Sequence, residues 1–174
     1  MLTLEQQEFV NRRPDANIKI IQFDPTSDEK FEEIKREIQS ILGNVEVLHR
    51  GSSGLGIAGQ AEIDVYIPTF AEEIPRLTMQ MKEVFGEPKS IRVDERTKFI
   101  KFIDKTMIEI ILVNKLCKSW IEGELFFDYL EKNKDFKNKY EELKAVGQDL
   151  SIKEYYRRKF EFMNEIVNKV KLSN

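Results

Sequence analysis

Apolar residues along the chain fall into stretches of two different periods, and each change of period marks a predicted element. Phe31, Ile34, Ile38, Ile41 and Leu42 recur at three- and four-residue spacing, which predicts an amphipathic helix that Gly43-Asn44 stops. Its start is placed by the turn Asp24-Pro25 and by Thr26 and Glu29, which have capping-box spacing. A shorter helix is predicted from Thr3, capped with Gln6, to about Arg12 ahead of Pro14. Ile18 to Phe23, Val45 to Arg50 and Glu62 to Ile67 read as strands, the last closed by Pro68. Between Phe70 and Phe85, Ile74, Leu77, Met81, Val84 and Phe85 mark the buried face of a helix that Pro75 admits only if it starts near Glu72.

Lys89 to Val93, Lys98 to Ile103 and Met107 to Val113 then read as consecutive strands, the last two parted by the turn Asp104-Lys105-Thr106, so antiparallel pairing is expected. From about Cys117 the period becomes helical, with stripes at Ile121, Leu125, Phe126, Tyr129 and at Phe136, Tyr140, Leu143. A last helix after Ser151 carries Tyr156, Phe160, Met163, Val167 and Val170 on one face. No linker-like stretch and no repeat interrupts the pattern, so the expected fold is α+β, with a mixed or antiparallel sheet, flanking helices and a C-terminal helical segment.

Composition narrows the class of function. With 174 residues, 41% of them hydrophobic, the chain can bury a core without disulfides or a structural metal. Lys and Arg number 28 against 31 Asp and Glu, so no net basic field argues for nucleic acid or an anionic membrane. Cys117 is the single cysteine, which excludes an intramolecular disulfide and a cysteine-rich zinc site. Met1 to Arg13 has no apolar signal-peptide core and no stretch reaches the roughly 18 apolar residues of a membrane helix, so a cytoplasmic protein is expected.

Candidate chemistry gathers around the third predicted strand. Gly54, Gly56 and Gly59 have the spacing of a dinucleotide fingerprint, but that fingerprint must open a long crossover helix, and the next strand begins near Glu62. Only a short helical turn fits. In the preferred reading Gly51-Ser52 is a phosphate-side turn, and strand alternation puts Glu62 and Asp64 on one face while Ile63, Val65 and Ile67 enter the core. Two neighbouring carboxylates are unfavourable without a cation, and hard oxygen ligands suit Mg²⁺ or Mn²⁺ bridging a triphosphate. Backbone N–H groups and the hydroxyls of Ser52 and Ser53 are candidate phosphate ligands, with Arg50 beside them. Glu109 interrupts an otherwise apolar run; if its strand neighbours that of Asp64, it becomes a further metal ligand or a general base.

Gly-Ser, nine residues and then acidic-hydrophobic-acidic-hydrophobic resembles the signature of the nucleotidyltransferase superfamily. His49-Arg50-Gly51-Ser52-Ser53, Phe23-Asp24-Pro25, Phe127-Asp128-Tyr129-Leu130 and Tyr140-Glu141-Glu142-Leu143-Lys144, with Tyr155 and Lys159, narrow the likeness to the GrpB family from about Ile18 to Val170. The resemblance implies one nucleotidyltransferase-fold domain over residues 1–174, with 1–17 as an N-terminal extension and 117–174 as a helical part. Glu62 stands where relatives often carry Asp or an uncharged residue, and the strand of Glu109 often carries histidines in them. Glu at both positions brings the site nearer the general transferase pattern.

The implied function is metal-dependent transfer of a nucleoside monophosphate from NTP to an acceptor hydroxyl. Glu62, Asp64 and Glu109 would be catalytic and metal-ligating; Gly51, Ser52, Ser53 and Arg50 would hold phosphate. The alternatives are a non-catalytic nucleotide- or protein-binding domain of the same fold, and a helix-mediated interaction module over residues 117–174. The bland readings are an exposed strand face for Glu62 and Asp64, a solvated face or a pair with Lys101 for Glu109, and a structural role for His49. Arg157, Arg158 and Lys159 are candidate contacts to a nucleotide tail, and Tyr155 or Tyr156 to a base, with core packing and surface charge as the commoner roles. Lys132, Lys134, Lys137 and Lys139 alternate with acidic residues, so nucleic acid is discounted as a main partner.

Overall fold

The computed structural model describes residues 1–173, which form two compact units. One comprises Phe23–Ile57 and Ala61–Ile121; the other comprises Met1–Gln22, Ala58–Gln60 and the chain from Glu122 onward. The elements are α1 (Leu4–Asn11), α2 (Ser27–Leu42), β1 (Leu48–Arg50), α3 (Gly51–Gly54), β2 (Glu62–Thr69), α4 (Ile74–Phe85), β3 (Ser90–Arg92), β4 (Arg96–Ile103), β5 (Thr106–Asn114), α5 (Lys118–Lys132), α6 (Lys134–Gly147) and α7 (Ile152–Ser173). No described helix is long and apolar enough to cross a membrane.

The unit beginning at Phe23 is a mixed five-stranded sheet in the order β1-β2-β5-β4-β3, an α+β arrangement with helices against it. Ile63, Val65 and Ile67 of β2, Ile108, Ile110 and Leu112 of β5 and Phe99 of β4 form one apolar face. It packs on Phe31, Ile34 and Ile38 of α2 and on Leu77 and Met81 of α4, all buried. The three- and four-residue spacing of those helical positions makes the stripe that this face needs. Strands β3, β4 and β5 pair antiparallel as expected, but β2 joins β5 in parallel.

Several boundaries differ from the sequence reading. Thr26 makes no side-chain cap on α2; Asp24 instead accepts from its backbone N–H at 2.9 Å and from its hydroxyl at 2.7 Å. The Thr26 hydroxyl is therefore a donor to the preceding turn. Strand β2 runs through Pro68 to Thr69, because beyond Tyr66 only β5 pairs with it and proline is tolerated at such an edge. A 3-10 turn over Ala71–Glu73 precedes α4 and leaves Pro75 in the first helical turn, where no N–H is required.

In the other unit the predicted strand Ile18 to Phe23 does not form. Asn17 bridges Ser151 and Ile21 bridges Gly59 as isolated pairs, while Ile18 and Ile20 bury their side chains with Ala58 and Tyr155. Apolarity there serves packing, not a ladder. The predicted capping box of α1 is present, with Thr3 Oγ1 accepting from Gln6 N–H at 3.2 Å and Gln6 Oε1 from Thr3 N–H at 2.9 Å. On α5 the buried positions are Phe126, Phe127 and Leu130, whereas Ile121 is exposed. On α7 Tyr155 is fully buried, its hydroxyl accepting from the buried Lys144 ammonium at 3.2 Å.

Gly147, at the end of α6, is set by the same tyrosine. A Cβ there would lie 2.5 Å from Tyr155 Cδ2, and a buried ring has no room to give. Helix propensity alone would favour alanine by about 0.5–1 kcal/mol. Overpacking costs about 1–3 kcal/mol and outweighs it. Gly147→Ala is therefore expected to lower the urea midpoint at unchanged m-value; an unchanged or raised midpoint would show that the ring moves aside.

Candidate functional site

The face of the sheet opposite the α2 and α4 core carries the candidate residues. In β2 burial alternates strictly, so Glu62 and Asp64 share this face while Ile63 and Val65 lie in the core. In register, Arg50 of β1 lies opposite Asp64, and Asp64 lies opposite Glu109 of β5. Arg50, Asp64 and Glu109 thus form one row across three paired strands. Neighbouring strands are about 4.8 Å apart, and unit charges at that spacing near a surface repel by roughly 3 kcal/mol.

Cations meet that repulsion. Lys98 of β4 places its ammonium 2.5 Å from Glu109 Oε2, with the lysine side chain 20% and the glutamate 17% exposed. The expected partner Lys101 is on the other face, where it binds Glu37 of α2 at 2.6 Å. Among the described residues, no group of three or more His, Cys, Asp or Glu is placed to hold one metal ion.

Gly51, which starts α3, has φ 70° and lies against Asp64: a Cβ on it would stand 2.8 Å from Asp64 Cγ and closer still to Oδ2. The Gly-Ser turn and the second carboxylate are therefore packed together. Gly54 closes the turn against β1, where a Cβ would come 2.8 Å from the His49 carbonyl oxygen. Of the two candidate hydroxyls, that of Ser53 is buried, donating to the Glu62 carbonyl at 3.2 Å and meeting His49 Nε2 at 3.0 Å. Ser52 is half-buried, and Arg50 donates from Nη1 to the His49 carbonyl at 3.1 Å.

His49 is the residue whose importance the sequence understated. Its ring stacks on Phe31 at 4.6 Å, and its Nδ1 lies 3.4 Å from Asp28 Oδ1, joining α2 to β1 and, through Ser53, to the start of β2. Burial holds its pKa below the ordinary 6.5, only partly offset by Asp28. Nearby, Asp24 is held at about 2 by hydrogen bonds from Lys30 and Thr26, so that carboxylate is ionised through the neutral range. Lys30 in turn donates to Thr106 at 2.8 Å, tying the α2 entrance to the start of β5.

The remaining candidates lie in the unit containing α7. Tyr155, a proposed base-stacking residue, is fully buried and unable to stack on a ligand. Tyr156 packs edge-on against Phe9 and its hydroxyl donates to Gln60 at 3.2 Å. Arg157 and Arg158 both bind Glu154, at 3.2 and 2.9 Å, and the Lys159 ammonium lies 5.6 Å from the Tyr156 ring centre.

Two outcomes are expected. Gly51→Ala should cost about 1–3 kcal/mol from the left-handed backbone alone, with the clash on Asp64 added; chemical denaturation measures it, and a loss below about 0.5 kcal/mol would refute the close packing. For His49, a folded-state pKa below 6.5 means that the unfolded chain takes up the proton first. Stability should then be complete above pH 6.5 and fall as the pH drops from there toward the depressed folded value. Melting temperatures between pH 7.5 and 5.5 should show that decline, and His49→Gln should flatten it.

Comparison with known proteins agrees with the fold. A crystal structure of conserved protein GrpB from Enterococcus faecalis superposes with a TM-score of 0.68 at 21% identity, covering 87% of this chain and 99% of that one. No curated protein matches the sequence. The family described as GrpB protein matches residues 17–169, and the chain belongs to the GrpB family.

Proposed function

We propose that the chain is a metal-dependent nucleotidyltransferase that moves a nucleoside monophosphate from an NTP to an acceptor hydroxyl. The observation that carries this reading is the row in which Asp64 stands beside Glu109, with Glu62 on the same strand face and the Gly51 turn packed on Asp64. Glu62 and Asp64 offer the hard oxygen donors that Mg²⁺ or Mn²⁺ takes, and two like charges on one face gain from such an ion. When bound, the ion would neutralise charge on the triphosphate and polarise it toward attack.

The protein's own residues supply position. The Gly51-Ser52 turn offers backbone N–H groups and the Ser52 hydroxyl to phosphate oxygens, Ser53 being engaged inside the fold. Arg50, in the same row, supplies positive charge to the phosphates. The acceptor oxygen forms the new bond to the α-phosphorus, the bond from that phosphorus to the bridging oxygen breaks, and pyrophosphate leaves with the electron pair. Glu109, beside Asp64 in the row, would take the acceptor proton or share in the ion's ligation.

A second reading is a domain that binds a nucleotide without turnover. Lys98 favours it, since its ammonium already holds Glu109, the carboxylate the first reading needs as a base. Turnover separates the readings: labelled NTPs, Mg²⁺ and a metabolite pool should yield pyrophosphate under the first and saturable binding without product under the second. Asp64→Asn, which keeps the shape packed on Gly51, should weaken Mg²⁺-dependent NTP binding at least tenfold by calorimetry. Unchanged binding would remove Asp64 from the site and both readings with it.

A further inference from the structure

A lysine withdrawn from water needs a negative partner, and several in this protein have one. Lys30 binds Asp24, Lys98 binds Glu109 and Lys101 binds Glu37. Lys144, in the last turn of α6, is more deeply buried than any of these, at 2% exposure. Yet among the described residues no carboxylate pairs with its ammonium. Its contacts are neutral: the Tyr155 hydroxyl of α7 accepts from it at 3.2 Å, and the ring centres of Tyr140 and Tyr155 lie 4.8 and 5.9 Å away.

A ring face and one hydroxyl return only part of the solvation that a buried ammonium loses. The carbonyls that end α6 do not add to it, since the hydrogen bond from Nζ goes to Tyr155. An ammonium has three hydrogens to donate, so two are left without an acceptor. The hydroxyl is left in a similar state. Its oxygen accepts from a group that can only donate, and its own hydrogen meets no acceptor among the described residues. Two donors from successive helices of one compact unit are thus enclosed together with a positive charge and no anion.

We infer that Lys144 and Tyr155 form a binding site for an oxyanion, the phosphoryl or carboxylate group of a small ligand, whose oxygens accept from the ammonium and from the hydroxyl. The ligand supplies the counter-charge that the fold withholds, through the charge-assisted hydrogen bonds that oxyanions make. A cation is excluded by the sign of the site. Enclosure strengthens the interaction by keeping water out, and it makes entry depend on local opening of α6 and α7. The inference uses no residue of the carboxylate face and stands apart from the transfer reading.

Two measurements test this without turnover. In chloride buffer free of oxyanions, Lys144→Met, which keeps the apolar stem and removes the charge, is expected to raise the urea midpoint, because the native chain buries a charge with no counter-ion. The heteronuclear NMR signal of the Lys144 ammonium, assigned by its loss in Lys144→Met or Lys144→Arg, should shift saturably when inorganic phosphate or acetate replaces chloride at constant ionic strength. The anion that saturates it at the lower concentration identifies the group as phosphoryl or carboxylate. Tyr155→Phe should weaken that titration at least tenfold. A lowered midpoint for Lys144→Met in chloride would show that the rings and the hydroxyl suffice, and would overturn the inference. So would a signal that neither anion saturates, or a titration that Tyr155→Phe leaves unchanged; if Lys144→Met does not fold, the titration decides alone.

Discussion

Setting Asp64 beside Glu109 on hydrogen-bonded strands brings two carboxylates into one row, and much of the surrounding structure is arranged about their repulsion. Lys98 binds the far member from β4, Arg50 occupies the next position in the row on β1, and Gly51 gives Asp64 space by having no side chain. A fold that only needed a stable sheet would place small apolar groups at those positions. Keeping the charges, and the partners they require, concentrates polar chemistry on one face, while the opposite face carries the apolar core of Ile, Val, Leu and Phe, with the Lys101–Glu37 pair beside it. Stability and function are thereby separated by the two-residue period of the strands.

That period was legible in the sequence, and so was the pairing of the two acidic residues of β2. Ile63, Val65 and Ile67 could only be buried together, which sent Glu62 and Asp64 to the other side. The neighbour of β2 was not legible. Local patterns specify hairpins, and β3, β4 and β5 do pair as hairpins, but the parallel contact of β2 with β5 spans α4 and two strands and leaves no signature in either segment. The apolar stretch Ile18 to Phe23 failed for a related reason: Ile18 and Ile20 satisfy their apolarity against Tyr155 without a continuous ladder.

Lys98 was missed through one residue of register. Reading Asp104-Lys105-Thr106 as a three-residue turn pairs Ile103 with Met107 and sets Lys101 opposite Glu109. The observed turn contains only Asp104 and Lys105, with Asp104 at φ 53°, so Ile103 meets Thr106. A shift of one position sends every side chain of a strand to the other face. Lys101 therefore pairs with Glu37 of α2 and Lys98 takes the glutamate. Asparagine and aspartate tolerate left-handed backbone, so the identity of Asp104 was the available clue to the tighter turn.

Asp28, His49 and Ser53 have the residue types and the order of contacts found in hydrolytic triads, yet their environment gives them another task. The Ser53 hydroxyl is held inside the fold between the Glu62 carbonyl at 3.2 Å and His49 Nε2 at 3.0 Å, so it is not presented to a ligand as a nucleophile. Burial lowers the pKa of that imidazole and Phe31 stacks on its ring, which suits a strut better than a base that must charge during reaction. The strut ends on the first residue of β2. Glu62 is thus fixed through its own backbone by a chain of contacts that begins on α2, and its carboxylate is left to the opposite face. An ion-binding pair built on a strand end would otherwise fray with that end. Here the helix that packs the core also holds the residue that begins the site, so loosening α2 should reach the carboxylates before it reaches the centre of the sheet.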